Sequence, residues 1–146
     1  MPTGSNPLGT GMPDEAKERL VRLIARHDLA LIEDDVYGEL VFEAPRPRPA
    51  KAWDRDGRVI LCGSVSKTLA PGYRVGWVVP GRWYEQVQRL KFAQTVACPT
   101  LTQMAVAEFL GSGGYDRHLR RLRATLRSQV GRVREAIAAS FPPGTR

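Results

Sequence analysis

The chain has 146 residues and a net charge of +7; its 42% hydrophobic and 25% charged residues are the composition of a soluble globular domain. No apolar run approaches a membrane span, and the opening MPTGSNPLGTGMP lacks the basic and apolar regions of a secretory signal. Cys62 and Cys98 fit no metal spacing and no disulfide framework, so no metal site is expected and the setting reads as reducing and cytoplasmic.

Residues 1–12 read as a Gly/Pro-rich loop. Pro13-Asp14-Glu15 then opens a helix, with proline and acids where the first turn favours them. Ala16, Leu20, Leu23, Ile24 and His27 form its apolar stripe. In LALIEDDVY, Leu29–Ile32 is continuously apolar, as in a strand buried on both faces of a parallel sheet. Glu33, Asp34 and Asp35 follow abruptly at its C-terminal end. FEAPRPRPAKAWDRDG reads as an irregular connection, because prolines and charges preclude a packed element. Its PRPRP resembles a polyproline ligand, but connectors of this kind are commoner.

RVILCGSVS is a second buried strand and RVGWVVPG a third. A helix from about Arg82 carries Trp83, Val87 and Leu90 on one face. Pro99 either interrupts it or begins the next helix, which runs to about Leu110. Gly111, Gly113 and Gly114 break the chain before a long helix in which Leu119, Leu122, Leu126, Val130, Val133 and Ile137 recur at steps of three and four. Arginines make its outer face basic. That face reads as solvated rather than as a nucleic-acid footprint, since no helix-turn-helix, zinc-finger spacing or aromatic RNA-binding pattern accompanies it. His27 and His118 read as satisfied or solvated, and Trp53, Trp77 and Trp83 as core or loop anchors.

This order indicates an α/β fold with a mainly parallel sheet flanked by helices. Ligands of open α/β sheets bind beyond the carboxyl ends of the strands. Asp34 and the Ser64–Lys67 turn both fall at such ends. GSVSKT ends in Lys-Thr like a phosphate-binding P-loop, but Ser66 stands where that motif requires glycine, which rejects an NTPase.

Pyridoxal 5'-phosphate makes demands that these residues meet: an amine for its aldehyde, hydroxyls and a cation for its phosphate, an acid for its ring nitrogen. Lys67 supplies the amine. Ser64, Ser66 and Arg74 are close enough in chain to surround one phosphate, with Arg74 giving a forked contact. Ser66 could instead cap the turn and leave Ser64 on the phosphate. Asp34 would pair with the pyridinium, and Tyr37 could give its hydroxyl to the phenolic oxygen. The Asp-x-x-Tyr spacing favours Asp34 over Asp35, so Asp35 and Glu33 read as solvated or capping acids. Partial desolvation and the Arg74 charge would activate the lysine.

NPLG at Asn6–Gly9, IEDDVYGEL at Ile32–Leu40 and SVSKTLAPGYRVGW at Ser64–Trp77 resemble, in order and separation, the core of the fold-type I pyridoxal-phosphate aminotransferases of class I/II. GGYDRHLRRLR at Gly113–Arg123, with SKTLAPGYR, resembles one branch, the MocR-type regulators of the GntR family. Those regulators join an aminotransferase-like domain to a DNA-binding winged helix. The resemblance assigns Lys67 to the internal aldimine, Asp34 to the pyridine nitrogen, Asn6 and Tyr37 to the phenolic oxygen, and Ser64, Ser66 and Arg74 to the phosphate. It implies that residues 1–146 form part of a large cofactor-binding domain whose glycine-containing phosphate turn, ring-stacking aromatic and C-terminal small domain are absent.

Two functions follow from the resemblance. One is a transaminase that moves amino groups between an amino acid and a 2-oxo acid. The other is a regulator that senses an amino compound with the same site. The family also implies a homodimer in the full-length protein, DNA contact only through a winged helix not present in this chain, and no membrane partner. A third reading is an inert remnant, whose central strands leave unpaired edges and an uncovered apolar face.

Overall fold

In the computed structural model, which describes residues 1–42 and 45–145, the chain runs α1 (Asp14–Arg26), β1 (Leu31–Asp34), β2 (Val59–Ser64), β3 (Gly76–Val79), α2 (Tyr84–Thr95), α3 (Thr100–Gly111) and α4 (Gly114–Ser140). Glu43 and Ala44 of the Pro-rich connection, and Arg146, lie outside the described residues. Among those residues no helix is long and apolar enough to cross a membrane.

The class is α/β and the sheet is mixed, in the order β1-β2-β3. β1 pairs with β2 in parallel, with Leu31 opposite Val59 and Asp34 opposite Cys62. β3 runs antiparallel to β2, with Ser64 opposite Gly76. The reason lies in the connections. A helix-length detour separates parallel partners, whereas the eleven residues between Ser64 and Gly76 only turn the chain back on itself. The Lys67 segment is therefore the mouth of a hairpin, standing beside the C-terminal end of β1.

α1 begins directly after Pro13, with Asp14 and Glu15 in its first turn and Arg26 in its last. It presents Val21 and Ile24 to a small core with Ala50 and Val59, flanked by Leu20, Leu31 and Trp53. This face is rotated from the expected stripe: Leu23 is exposed, and Lys17 is buried to 1%. Lys17 Nζ donates to the Arg48 carbonyl oxygen at 2.7 Å and to Thr3 Oγ1 at 3.2 Å. Backbone and hydroxyl oxygens thus satisfy a charge that helical periodicity assigns to solvent.

The expectation of strands buried on both faces is corrected for β1, where Ile32 is 70% exposed, and for β3, which is exposed along its length. α2 contributes no buried residue, and Leu90 and Phe92 stand in the open. These elements carry apolar side chains that the described residues cover only in part. α2 ends at Thr95, and Pro99 directly precedes α3. Gly113, at φ 68, separates α3 from α4. α4 buries Leu119 and leaves Val133 exposed.

Candidate functional site

The ends of β1 and β2 carry the chemistry-bearing residues. The Asp35 amide continues the parallel ladder one step past the strand by donating to the Cys62 carbonyl oxygen at 3.0 Å. Asp34 Oδ1 accepts the Val36 amide at 3.2 Å, which turns the chain and leaves Asp34 half-buried beside Cys62. Burial, reinforced by the Asp34 carboxylate, pushes the Cys62 thiol above its ordinary value. Negative charge at this strand end is thus felt on the neighbouring strand.

The Lys67 turn is held from inside. Leu69 N–H donates to the Val65 carbonyl oxygen at 2.8 Å, and Val65 N–H to the Val75 carbonyl oxygen at 3.3 Å. Ser64 Oγ accepts the Ser66 amide at 2.9 Å and donates to Ser66 Oγ at 2.7 Å, with the Val75 carbonyl oxygen at 3.2 Å as its other neighbour. Both readings of Ser66 therefore have a basis: its amide closes the turn and its hydroxyl stands against that of Ser64. Arg74 follows the short 3-10 turn Pro71–Tyr73 in a left-handed conformation, φ 54, and is exposed.

Lys67 Nζ lies 5.8 Å from the centroid of the Tyr37 ring. This contact crosses from the β2 end to the β1 end and joins the two halves of the predicted set. Lys67 enters none of the ion pairs among the described residues, and it is exposed. The expected partial desolvation is thus not supplied by them. Asn6 is exposed in a loop closed by Ser5 N–H to Thr10 O at 2.9 Å and joined to Pro7 by a cis peptide. A Cβ on Gly4 would sit 3.3 Å from Tyr37 Cβ, so this loop packs against the Tyr37 turn through Gly4, two residues before Asn6. Between them opens a cleft of about 940 Å3, lined by Gly4, Leu8, Tyr37, Phe42 and Arg134.

Three features escaped the sequence reading. Glu33 and Asp35 are not solvated: they are 0% and 8% exposed. Asp35 pairs with Arg46, which also reaches Glu39 at 2.6 Å. Burial works against the Arg46 charge, but the Asp35 and Glu39 carboxylates outweigh it and hold the guanidinium above its usual value. Gly38 sits inside this knot, where a Cβ would meet Asp35 Oδ1 at 2.5 Å. The arginines of PRPRP were the available signal, since each needs an acid if the connection folds back.

The third feature is α4. Arg123 donates from Nε to the Glu39 carbonyl oxygen at 2.7 Å and from Nη2 to Glu39 Oε2 at 2.9 Å, and Arg127 donates to the Phe42 carbonyl oxygen. Tyr115 and His118, on the same helix, hold Thr68. The GGYDRHLRRLR motif was visible, but its contacts were not.

As a donor set, the site fits pyridoxal phosphate. Hydroxyls and an arginine share one hairpin mouth, an amine projects between the strand ends, and a carboxylate stands on the adjacent strand. Among the described residues no cluster of ligands that could hold a metal occurs.

The family model for aminotransferases of class I and II matches residues 3–145. A regulator of Escherichia coli (strain K12), the uncharacterized HTH-type transcriptional regulator YjiR, is 51% identical over 123 residues, covering 84% of this chain and 26% of that protein. An uncharacterized aminotransferase of Saccharolobus solfataricus is 36% identical over 147 residues, covering 100% of this chain and 37% of that protein. The crystal structure of LysN, the α-aminoadipate aminotransferase of Thermus thermophilus complexed with N-(5'-phosphopyridoxyl)-L-leucine, superposes with a TM-score of 0.91 at 31% identity, over 100% of this chain and 38% of that one. The chain thus spans 26% and 37% of the length of these two curated relatives.

Proposed function

The chain belongs to the aminotransferase class I and II family, and from that premise we propose that it is a pyridoxal-phosphate-binding, aminotransferase-like domain whose covalent chemistry resides on Lys67. The family implies the cofactor. Bound here, pyridoxal phosphate supplies an aldehyde that takes up an amine and a ring that accepts the electrons released at the amino acid's α-carbon. The observation that carries the proposal is the 5.8 Å approach of Lys67 Nζ to the Tyr37 ring, which unites the ends of two parallel strands.

The remaining chemistry belongs to the chain. Ser64 and Ser66 hydroxyls and the Arg74 guanidinium bind the phosphate at the hairpin mouth, where the fork of Arg74 gives direction as well as charge. Asp34, on the neighbouring strand, holds a proton on the ring nitrogen. Tyr37 and Asn6 would donate to the phenolic oxygen. Lys67 Nζ would hold the cofactor's aldehyde and would be the base placed to move a proton at the amino acid's α-carbon. Transfer of the amino group between an amino acid and a 2-oxo acid is the reaction this set supports.

A second reading rests on the 51% identity to a regulator named for its DNA-binding motif. In it the same residues take up an amino compound without turnover, and a winged helix outside this chain contacts DNA. The two share one test for the site and a second for the outcome. Purified protein is given pyridoxal phosphate, reduced with borohydride and mapped by peptide, with Lys67→Ala as control. A label on Lys67 that the control abolishes supports both. Labels scattered over several lysines, or none, overturn them. Turnover of amino acids by protein that traps the cofactor selects the enzyme, and uptake without turnover selects the sensor.

A further inference from the structure

α4 touches both halves of the site, and its grip on the lysine side is made through a single residue. Thr68, next to Lys67, is 2% exposed. Tyr115 Oη donates to Thr68 Oγ1 at 2.8 Å, and His118 Nε2 lies 2.8 Å from the Thr68 carbonyl oxygen. A carbonyl oxygen only accepts, so His118 Nε2 carries the hydrogen in this bond. Burial, partly offset by the bond to Thr68, raises the Tyr115 phenol, which keeps it protonated and donating at neutral pH. The two residues are three apart, on one helical face. The Phe109 ring meets His118 edge-on at 6.3 Å and limits the tilt of the imidazole.

We propose that Tyr115 and His118 are positioning residues that aim Lys67 by fixing Thr68. The proposal rests on the reading of Lys67 as the cofactor-bonding amine. Two bonds to one residue fix its side chain and its peptide carbonyl together, so the backbone around Thr68 cannot rotate freely. Val65, at 1% exposure, anchors the other side of the turn through the Leu69 amide. Lys67 thus projects from between two buried neighbours while its own side chain stays in the open.

The same helix fixes the opposite loop. Arg123 holds the backbone and side chain of Glu39, two residues beyond Tyr37. His118 and Arg123 are five residues apart, which along an α-helix is about 7.5 Å. A rigid helix that grips both loops couples their positions, in addition to the Arg46 pairs that hold the Tyr37 loop to the connection.

Amide hydrogen exchange on the cofactor-free chain, with wild type, Tyr115→Phe, His118→Ala, His118→Gln and Thr68→Val, tests this directly. Losing either anchor should speed exchange of the Leu69 amide about tenfold while the β2 amides keep their rates. His118→Gln, whose amide can still donate to the carbonyl, should restore protection. Thr68→Val preserves shape and removes only the Oγ1 acceptor, so it should match Tyr115→Phe. In parallel, the fraction of borohydride-trapped cofactor found on Lys67 should fall in the variants that lose protection. Unchanged Leu69 exchange overturns the proposal. So does exchange that rises equally in β2, which marks a general packing role. If wild type traps no cofactor on Lys67, the functional reading fails, and Leu69 exchange still decides whether α4 fixes the turn.

Discussion

The buried carboxylate of Glu33 accepts the backbone amide of Ala50 at 2.7 Å, and its second oxygen accepts that of Lys51 at 3.0 Å. A side chain on β1 thereby caps the short 3-10 turn Ala50–Trp53, which carries Ala50 into the core beside Val59. Both oxygens are in use, so no isosteric replacement serves. Glu33→Gln turns one acceptor into a donor facing an N–H and should cost about 2 kcal/mol. Thermal unfolding of the variant against wild type measures this. A shift under a degree would show that the cap contributes nothing.

Acid sensitivity centres on Asp54. Its Oδ1 accepts the Arg58 amide at 2.9 Å, and its Oδ2 accepts the Val59 amide at 2.9 Å and the Lys51 ammonium at 2.8 Å. Burial works against the charged carboxylate, but Lys51 and the two amides outweigh it and hold the carboxyl below its ordinary value. A carboxyl lowered by folding gives its stabilisation in full above the unfolded value, near 3.9, and loses it as pH falls through the folded value. Wild type should therefore lose stability below about pH 4 more steeply than Asp54→Asn, which lacks the titrating group. At pH 7 the variant should be less stable by about 2 kcal/mol, or roughly 6 °C in Tm. Melting curves from pH 3 to 7 decide it, and parallel slopes for the two proteins would remove Asp54 from the account.

The motifs of the site were legible because cofactor chemistry demands particular residue types at short chain distances, as in Asp34 with Tyr37 or Ser64 with Lys67. The helices were legible from their ends, at Pro13-Asp14-Glu15 and at Gly113. What escaped were partners remote in sequence. Lys17 is buried because a carbonyl at Arg48 receives it, and no periodicity within α1 encodes that. Asp35 and Glu33 look like surface acids in the sequence because their partners lie in the connection after Phe42. β3 looks like another buried strand because its Trp77-Val78-Val79 run is apolar, a pattern that reports what a segment could bury, whereas exposure depends on what covers it.

The knot around Gly38 makes a steric prediction. A Cβ there would lie 2.5 Å from Asp35 Oδ1 and 2.6 Å from Arg46 Nη2, which is closer than real contacts allow. Gly38→Ala must therefore shift the Asp35 carboxylate or the partly exposed Arg46 guanidinium and weaken their pairing. The loss should be about 1–2 kcal/mol, since both partners remain and Arg46 is partly exposed. Because Gly38 adjoins Tyr37, cofactor trapping on Lys67 should fall in the same variant. Arg46→Met, which removes the charge and opens space, should partly relieve the clash when combined with it. Since Arg46→Met alone leaves the Asp35 carboxylate without its guanidinium, the readout is the extra cost of Gly38→Ala in the Arg46→Met background, which should be smaller than in wild type; an undiminished cost would place the strain elsewhere.

Arg74 makes the phosphate assignment testable, because pyridoxal carries the aldehyde without the phosphate. A guanidinium at the hairpin mouth can favour only the phosphorylated form, through charge-assisted bonds of about 1.5–3 kcal/mol, or roughly tenfold to a hundredfold in affinity. Wild type should therefore trap pyridoxal phosphate on Lys67 at far lower concentration than pyridoxal. Arg74→Ala should lose most of that preference, keeping only what Ser64 and Ser66 supply, while trapping pyridoxal as before. Arg74→Lys keeps a point charge without the fork and should fall between them. Alanine and lysine both carry a Cβ, as arginine does at this left-handed position, and any change in turn geometry would affect the two aldehydes alike. Equal losses for pyridoxal and its phosphate would assign Arg74 to the shape of the turn and leave the phosphate to Ser64 and Ser66.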